Sequence, residues 1–367
     1  MMNPVRHSKD KKISHSNQHK VSKNQYMSNE MNKLINDRPA PYRAVITGCG
    51  SFVPEKLLTN EDLTKMVDTS DEWITTRTGI KVRHITNDSE TTAFLATEAA
   101  KKALADAKLD PCELELIIVA TITPEMVFPS TASFIQRSLR AKKAWVFDLC
   151  AACSGFIYGI SVVQQFLESG RYNNALVIGA ETLTKITDWT DRTSCILFGD
   201  GAGAVVLQQS KDKNRGIIYS TMASDGDFWE ALNCQAYGSR YPAHKELDDP
   251  KKIYMEIKGR QVYQQAIRRI VETVTNCLEV CNLTIDDIKM MISHQMNGRI
   301  IESAAKRLNL PDEKVFINIA EYGNTSAASV PIAFDDCIKQ GKIKQGDVVI
   351  FVAFGAGLTW GANVIRL

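Results

Sequence analysis

Between Arg43 and Leu367 the chain spells much the same pattern twice. Leu109 precedes Ala120 by 11 residues, at the end of the apolar run Leu116-Ile-Ile-Val-Ala120, and Leu283 precedes His294 by the same 11. Cys153 stands 17 residues before Gly170, and Asn324 stands 17 before Gly341. Each glycine is followed by a basic residue and then by a strand-like run, Ala175-Leu-Val-Ile178 or Val348-Val-Ile-Phe-Val352. Strand patterns such as Ala44-Val-Ile-Thr47 alternate with helical ones around Glu90–Ala107 and Ala132–Leu139, which predicts layered α/β structure. The repeat divides the chain into an N-terminal half, 43–210, and a C-terminal half, 211–367, joined near Ser210–Arg215. Cys153 and Asn324 are thereby expected at matching strand-to-helix corners, with His294 at the end of the strand before Asn324. Ligands of open parallel sheets collect beyond the carboxyl ends of the strands, so these three side chains are expected to converge.

Ahead of the repeat, residues 1–42 form a Lys/Asn/Ser-rich basic extension without an apolar block that could act as a signal-peptide core, and it reads as disordered. Residues 1–43 hold nine Lys/Arg against three Asp/Glu, whereas the whole chain carries a formal charge of only +2. The repeated body is therefore mildly acidic, which argues against nucleic acid as its partner. Val348 to Ile365 runs 18 residues without a charge, long enough to span a bilayer. Gly355, Gly357, Gly361 and Asn363 interrupt it, so strand, turn, strand is the better reading and no membrane span is expected. The nine cysteines show no regular disulfide framework, which suggests a reducing, cytoplasmic compartment.

Cys153 lies in Asp148-Leu-Cys-Ala-Ala-Cys-Ser-Gly-Phe156, where a strand predicted to be buried, Ala144-Trp-Val-Phe147, passes into an amphipathic helix. A thiol at a helix N-terminus faces unpaired N–H groups and the positive end of the macrodipole, which favour thiolate. Cys153 is accordingly a candidate nucleophile. Cys150-Ala-Ala-Cys153 also reads as a redox pair or half of a zinc site, but no further ligands stand at suitable spacing, so no metal is expected. Phe198-Gly-Asp-Gly-Ala-Gly-Ala204 leads into a strand where a phosphate-binding loop would open a helix, and its glycines are assigned to close packing. Cysteine, histidine and asparagine also occur in the order of a papain-like protease, but without that family's local signature.

Four motifs together point further: Cys-Ala-Ala-Cys153-Ser-Gly-Phe, His294-Gln-Met-Asn-Gly-Arg299, Glu-Tyr-Gly-Asn324-Thr-Ser-Ala-Ala-Ser and Phe354-Gly-Ala-Gly-Leu-Thr-Trp-Gly361. With Thr69-Ser-Asp-Glu-Trp73-Ile-Thr-Thr-Arg77-Thr-Gly-Ile80, they make residues 43–367 resemble the β-ketoacyl-acyl-carrier-protein synthase III enzymes of the thiolase superfamily. The resemblance implies duplicated α/β halves stacked α-β-α-β-α. It implies a homodimeric acyltransferase that begins fatty acid synthesis without a metal or redox cofactor, coenzyme A thioester being a substrate. By resemblance, Cys153 takes an acyl group from acyl-CoA, preferably acetyl-CoA. Malonyl-acyl carrier protein then loses CO2, and its enolate attacks the thioester.

The resemblance also assigns roles around that chemistry. Backbone N–H groups of Cys153 and Ala356 form the oxyanion hole, one such donor contributing about 3 kcal/mol to barrier lowering. Ala356 stands where glycine is common, which matters if that corner needs a left-handed backbone. His294 and Asn324 donate hydrogen bonds to the enolate. Trp73, Arg77, Arg192 and Asn297 hold CoA, with Arg192 across the adenine from the indole. Phe128 caps an acyl pocket across the dimer and favours a short primer. Arg299, Lys306 and Arg307 are spaced along one helical side, where they could meet an acidic carrier protein. Two alternatives stay open: a relative using longer acyl groups or another acceptor, and a non-catalytic acyl-binding homologue.

Overall fold

The structure is a computed structural model and describes residues 40–367. The basic extension expected over 1–42 therefore lies outside the described residues as far as Pro39. Its last three residues are packed chain: the Ala40 carbonyl accepts from Lys213 Nζ and the Tyr42 ring lies against Gly170.

In chain order the strands are β1 (Arg43–Phe52), β2 (Leu57–Thr59), β3 (Val82–His84), β4 (Leu116–Ala120), β5 (Trp145–Leu149), β6 (Asn174–Thr182), β7 (Asp200–Ser210), β8 (Gly216–Ser224), β9 (Leu232–Asn233), β10 (Glu256–Ile257), β11 (Met290–Ser293), β12 (Val315–Phe316), β13 (Val348–Gly355) and β14 (Thr359–Arg366). The helices are α1 (Asn60–Thr64), α2 (Asp71–Thr78), α3 (Thr92–Ala107), α4 (Thr131–Leu139), α5 (Gly155–Glu168), α6 (Gly259–Cys281), α7 (Gly298–Arg307), α8 (Ile319–Tyr322) and α9 (Ser329–Lys339). Two five-stranded sheets run in the orders β1-β7-β6-β4-β5 and β8-β14-β13-β11-β12. The second order is the first repeated strand for strand, so the duplication read from sequence is present in the topology.

Five layers result. Helices α3 and α4 pack on the outer face of the first sheet, and α6 and α7 on the outer face of the second. Between the sheets lie α5 and α9, joined to both through Phe156, Ile160, Phe334 and Phe351. A central helix must be apolar all round, and α5 buries residues on every side, including Phe156, Ile157, Ile160, Val163 and Leu167. The middle strand β6 is buried throughout, matching its near-continuous apolar run. β13 and β14 form the strand, turn, strand expected of residues 348–365. Gly203 lies where a Cβ would come within 2.8 Å of the Ile332 backbone nitrogen of α9, so this glycine serves close packing, as expected. No helix among the described residues is long and apolar enough to cross a membrane.

Two local expectations are corrected. β5 starts at Trp145 and is the edge of its sheet, with Trp145 exposed and the next four residues only partly covered; it is not the buried strand its composition suggests. The repeat also has a slip. From Lys108 to Asn282, both left-handed helix caps at φ 52, the offset is 174 residues, and it is the same from Ala152 (φ 46) to Ser326 (φ 49). Cys153 therefore corresponds to Ala327, and Asn324 to Cys150. The equal 17-residue spacing to Gly170 and Gly341 misleads because α9 has 11 residues where α5 has 14, and the following loop makes up the difference.

Candidate active site

Cys153 sits in a single 3-10 turn, Ala152–Ser154, between β5 and α5. Its corner is tightened by Gly355 at the end of β13, where a Cβ would stand only 2.7 Å from the Cys153 backbone nitrogen. His294 follows β11, its N–H bonded to Val352 O at 2.8 Å, and the residue is only 1 % exposed. Asn324 is fixed to the first half by backbone: its N–H donates to Leu197 O at 2.9 Å, and its carbonyl accepts from Gly199 N–H at 3.1 Å. Cys153, His294, Asn324, Ser326 and Ala356 all line one cavity of about 840 Å³. The convergence expected from sequence is thus a feature of the structure.

The hydrogen bonds behind these side chains decide what they present to the cavity. Asn324 Oδ1 accepts from Ser326 N–H at 2.9 Å, which leaves the amide NH2 to face the cavity as a donor. His294 Nδ1 lies 2.6 Å from Ser329 Oγ, which also accepts from Gln295 N–H at 3.3 Å. The arrangement that satisfies all three has the Ser329 hydroxyl donating to Nδ1, so the neutral ring carries its proton on Nε2. Burial pushes the His294 imidazole down to about 3, which keeps it uncharged at neutral pH.

Cys153 departs from expectation. Burial pushes its thiol up to about 12, against a smaller lowering by the Ser326 hydroxyl. The helix terminus does not by itself yield a resting thiolate, because removing water costs the anion more than a few N–H donors return. Behind the corner lies a group that sequence reasoning missed, Glu181 of β6, fully buried, with its carboxyl raised to about 7 by burial. It accepts from Thr123 Oγ1 at 2.6 Å, from Thr121 Oγ1 at 3.2 Å, from the Ile122 and Thr123 N–H groups at 3.1 Å each, and from Ser326 Oγ at 3.1 Å. One acidic residue inside an otherwise uncharged, fully buried strand was the available signal.

The remaining expected residues are placed as follows. Ala356 lines the cavity without a positive φ; Gly357 next to it carries that conformation at φ 131, so alanine costs nothing there. Trp73 on α2 has the Arg192 guanidinium 5.2 Å and the Arg77 guanidinium 5.8 Å from its ring centroid, and Arg192 also pairs with Asp68 at 3.1 Å. The three come together, with Arg192 lying directly over the indole. Asn297 lines the cavity, but its side chain caps α7 at Arg299 N–H and donates to Arg77 O at 3.1 Å. Arg299, Lys306 and Arg307 are exposed on α7. Phe128 is 81 % exposed and does not line the cavity of its own chain, although Met126 and Val127 do. The segment 225–254, unplaced by sequence, supplies a wall through Leu232, Asn233 and Cys234, which Met255 and Ile257 continue. All nine cysteines are free thiols. Among the described residues no group of three or more His, Cys, Asp or Glu side chains is placed to hold a metal ion.

A thiol-bearing corner, an imidazole and an amide around one apolar cavity, on duplicated α/β halves, are the frame of a condensing acyltransferase of the thiolase fold. Comparison with known proteins narrows this. The sequence pattern described as 3-oxoacyl-[acyl-carrier-protein (ACP)] synthase III matches residues 147–226, and that of its C terminal matches residues 278–367. The β-ketoacyl-[acyl-carrier-protein] synthase III of Caldanaerobacter subterraneus subsp. tengcongensis is 53% identical over 323 residues, covering 88% of this chain and 97% of the relative. The crystal structure of 3-oxoacyl-[acyl-carrier-protein] synthase III from Aquifex aeolicus VF5 superposes with a TM-score of 0.83 at 47% identity, over 88% of this chain and all of that one. The corresponding structure from Pseudomonas aeruginosa PAO1 gives 0.82 at 36% identity, over 88% of this chain and 98% of that one. The chain belongs to the β-ketoacyl-acyl-carrier-protein synthase III family and is a condensing enzyme that initiates fatty acid synthesis.

Proposed function

We propose that Cys153 is the residue acylated by acyl-CoA and that His294 and Asn324 act on malonyl-acyl carrier protein. In the first half-reaction the sulfur adds to the thioester carbonyl, backbone N–H groups at Cys153 and Ala356 take up the oxyanion, and CoA leaves as the thiol. In the second, malonyl thioester loses CO2 while His294 Nε2–H and the Asn324 NH2 stabilise the enolate oxygen, and the enolate carbon attacks acyl-Cys153 to give 3-oxoacyl-acyl carrier protein. The observation that carries this reading is the donor polarity of both second-half groups: a protonated Nε2 and an outward NH2 suit a developing oxyanion. That trio also disfavours a non-catalytic acyl-binding role. No metal or redox group enters any step.

Trp73, Arg77 and Arg192 are assigned to the CoA nucleotide, with Arg192 swinging from the indole face as the purine enters between them. Asn297 then acts mainly by tying α7 to Arg77. Arg299, Lys306 and Arg307, on the helix that starts at the cavity, are assigned to the carrier protein, whose acidity they complement. A homodimer is favoured by the edge of β5. Thr131 and Ala132 N–H groups bond Asp148 of β5 at 2.6 and 2.8 Å, which ties the chain just after exposed Val127 and Phe128 to that edge strand. Phe128 reaches an acyl pocket only across such a dimer, so preference for an acetyl primer rests on that contact. The apolar wall of Leu232, Met255 and Ile257 favours a second reading, a longer primer.

The assignment is tested by incubating the enzyme with labelled acetyl-CoA and locating the adduct by peptide mass spectrometry. Label on Cys153 is expected; label elsewhere overturns it. His294→Ala and Asn324→Ala should still accept acetyl groups but lose decarboxylation by about 100-fold or more. Competition among acetyl-, butyryl-, isobutyryl- and octanoyl-CoA ranks the primers, and preferential use of octanoyl-CoA would decide for the longer one.

A further inference from the structure

Acylation of Cys153 requires its thiol proton to leave, and the structure restricts where it can go. His294 faces the cavity with Nε2 already protonated, and its burial opposes a second proton. Ser326 is differently placed. It lines the same cavity as Cys153, its hydroxyl lies 3.1 Å from Glu181 Oε1, and its N–H holds Asn324 Oδ1 at 2.9 Å. It is held there at φ 49, a conformation uncommon for a non-glycine residue. Glu181 Oε2 is saturated by two backbone N–H groups and two threonine hydroxyls, whereas Oε1 is turned toward Ser326.

We propose that Glu181 is a positioning residue for the first half-reaction, acting through Ser326 as the acceptor of the Cys153 thiol proton. The inference rests on Cys153 being the acylated residue. With Glu181 ionised, Ser326 O–H donates to Oε1 and its oxygen can accept from Cys153 S–H. As sulfur attacks the acyl carbon, the thiol proton passes to Ser326 Oγ and the Ser326 proton passes to Oε1. The C–S bond forms, Glu181 becomes a neutral acid, and one negative charge moves from carboxylate to sulfur and on to the oxyanion. When the tetrahedral adduct collapses the CoA sulfur leaves with the bonding pair, and the proton held on Glu181 returns through Ser326 to make CoA thiol. The number of buried charges never changes. That removes the desolvation cost which keeps an isolated thiol protonated here. The titratable groups facing Glu181 are Cys153 and Cys150, whose thiols its charge holds up; His294 shares the cavity as a neutral ring.

The relay makes acylation, and not decarboxylation, sensitive to the protonation of Glu181. Single-turnover acetylation of the full-length enzyme by labelled acetyl-CoA should fall as pH drops through about 7. In Glu181→Gln it should be slower at pH 7 by about 100-fold, the usual scale of a lost proton acceptor, and should climb with pH where the wild type is flat. Ser326→Gly, which removes the hydroxyl and suits the positive φ, should show the same change of profile with the carboxylate in place. Malonyl decarboxylation by enzyme already acetylated should change far less in both variants. Glu181→Gln and Ser326→Gly keeping the wild-type acetylation profile would overturn the relay, as would equal loss of both half-reactions, the mark of a merely structural role. Absence of wild-type label from Cys153 would instead defeat the underlying assignment, so the two failures are distinguishable.

Discussion

Ser329 and Gln295 hold His294 so that a neutral ring offers a proton to the cavity. Ser329→Ala removes the donor to Nδ1 and frees the ring to exchange tautomers. A lost buried hydrogen bond costs about 1–3 kcal/mol, so decarboxylation should drop roughly tenfold or more while acyl uptake stays nearly unchanged. Stopped assays of the two half-reactions measure this. Cys153, His294 and Asn324 were legible in the sequence because each lies in a motif at a predicted corner. Ser326 and Ser329 lay inside a quoted motif, but their role depends on which way a hydroxyl turns, which no pattern encodes. Glu181 was passed over because an isolated acid in a strand gives no hint of five donors closing around it. The expected thiolate failed for a related reason: the helix terminus can be read from sequence, but the loss of water at that spot cannot.

The central helices carry the packing that sets the corners. Phe334 of α9 and Phe351 of β13 meet edge to face with centroids 5.0 Å apart, in the core shared by both sheets. Phe351→Ala should lower unfolding free energy by about 3–5 kcal/mol, seen as a fall in the denaturant midpoint with little change in slope. The alternation of strands and helices was readable because buried strands and helices of both sorts have distinct apolar periods. Edge position was not: Trp145-Val-Phe147 is as apolar as a central strand, and its neighbours are chosen by topology. The three-residue slip between α5 and α9 escaped for the opposite reason, since two end glycines mark where helices stop and say nothing about where they start.

For the molecule as a unit, the buried thiols predict an alkaline limit. Burial raises Cys49, Cys153, Cys195, Cys277 and Cys337 above the ordinary value of 9.0, with Cys195 and Cys337 at about 11. Above pH 9 the unfolded chain releases thiol protons that the native chain retains, so stability must fall as pH rises, by up to about 1.4 kcal/mol per pH unit for each such thiol. Thermal unfolding between pH 8 and 10.5 should show a steepening decline; a flat profile would contradict the burial of these groups. Assembly is tested separately. Val127→Lys changes a side chain 89 % exposed, so it should leave the monomer fold intact yet break the proposed homodimer, which sedimentation would read as monomer. An unchanged dimer would place the interface elsewhere.

Asn324 belongs by sequence to the second half but is stitched by its own backbone to Leu197 and Gly199 of the first. A parting of the two sheets would therefore tear the amide from its neighbours instead of opening a doorway. Passage in and out of the cavity must leave that seam closed, so the Asn324 amide keeps its place in the wall it shares with Cys153 and His294.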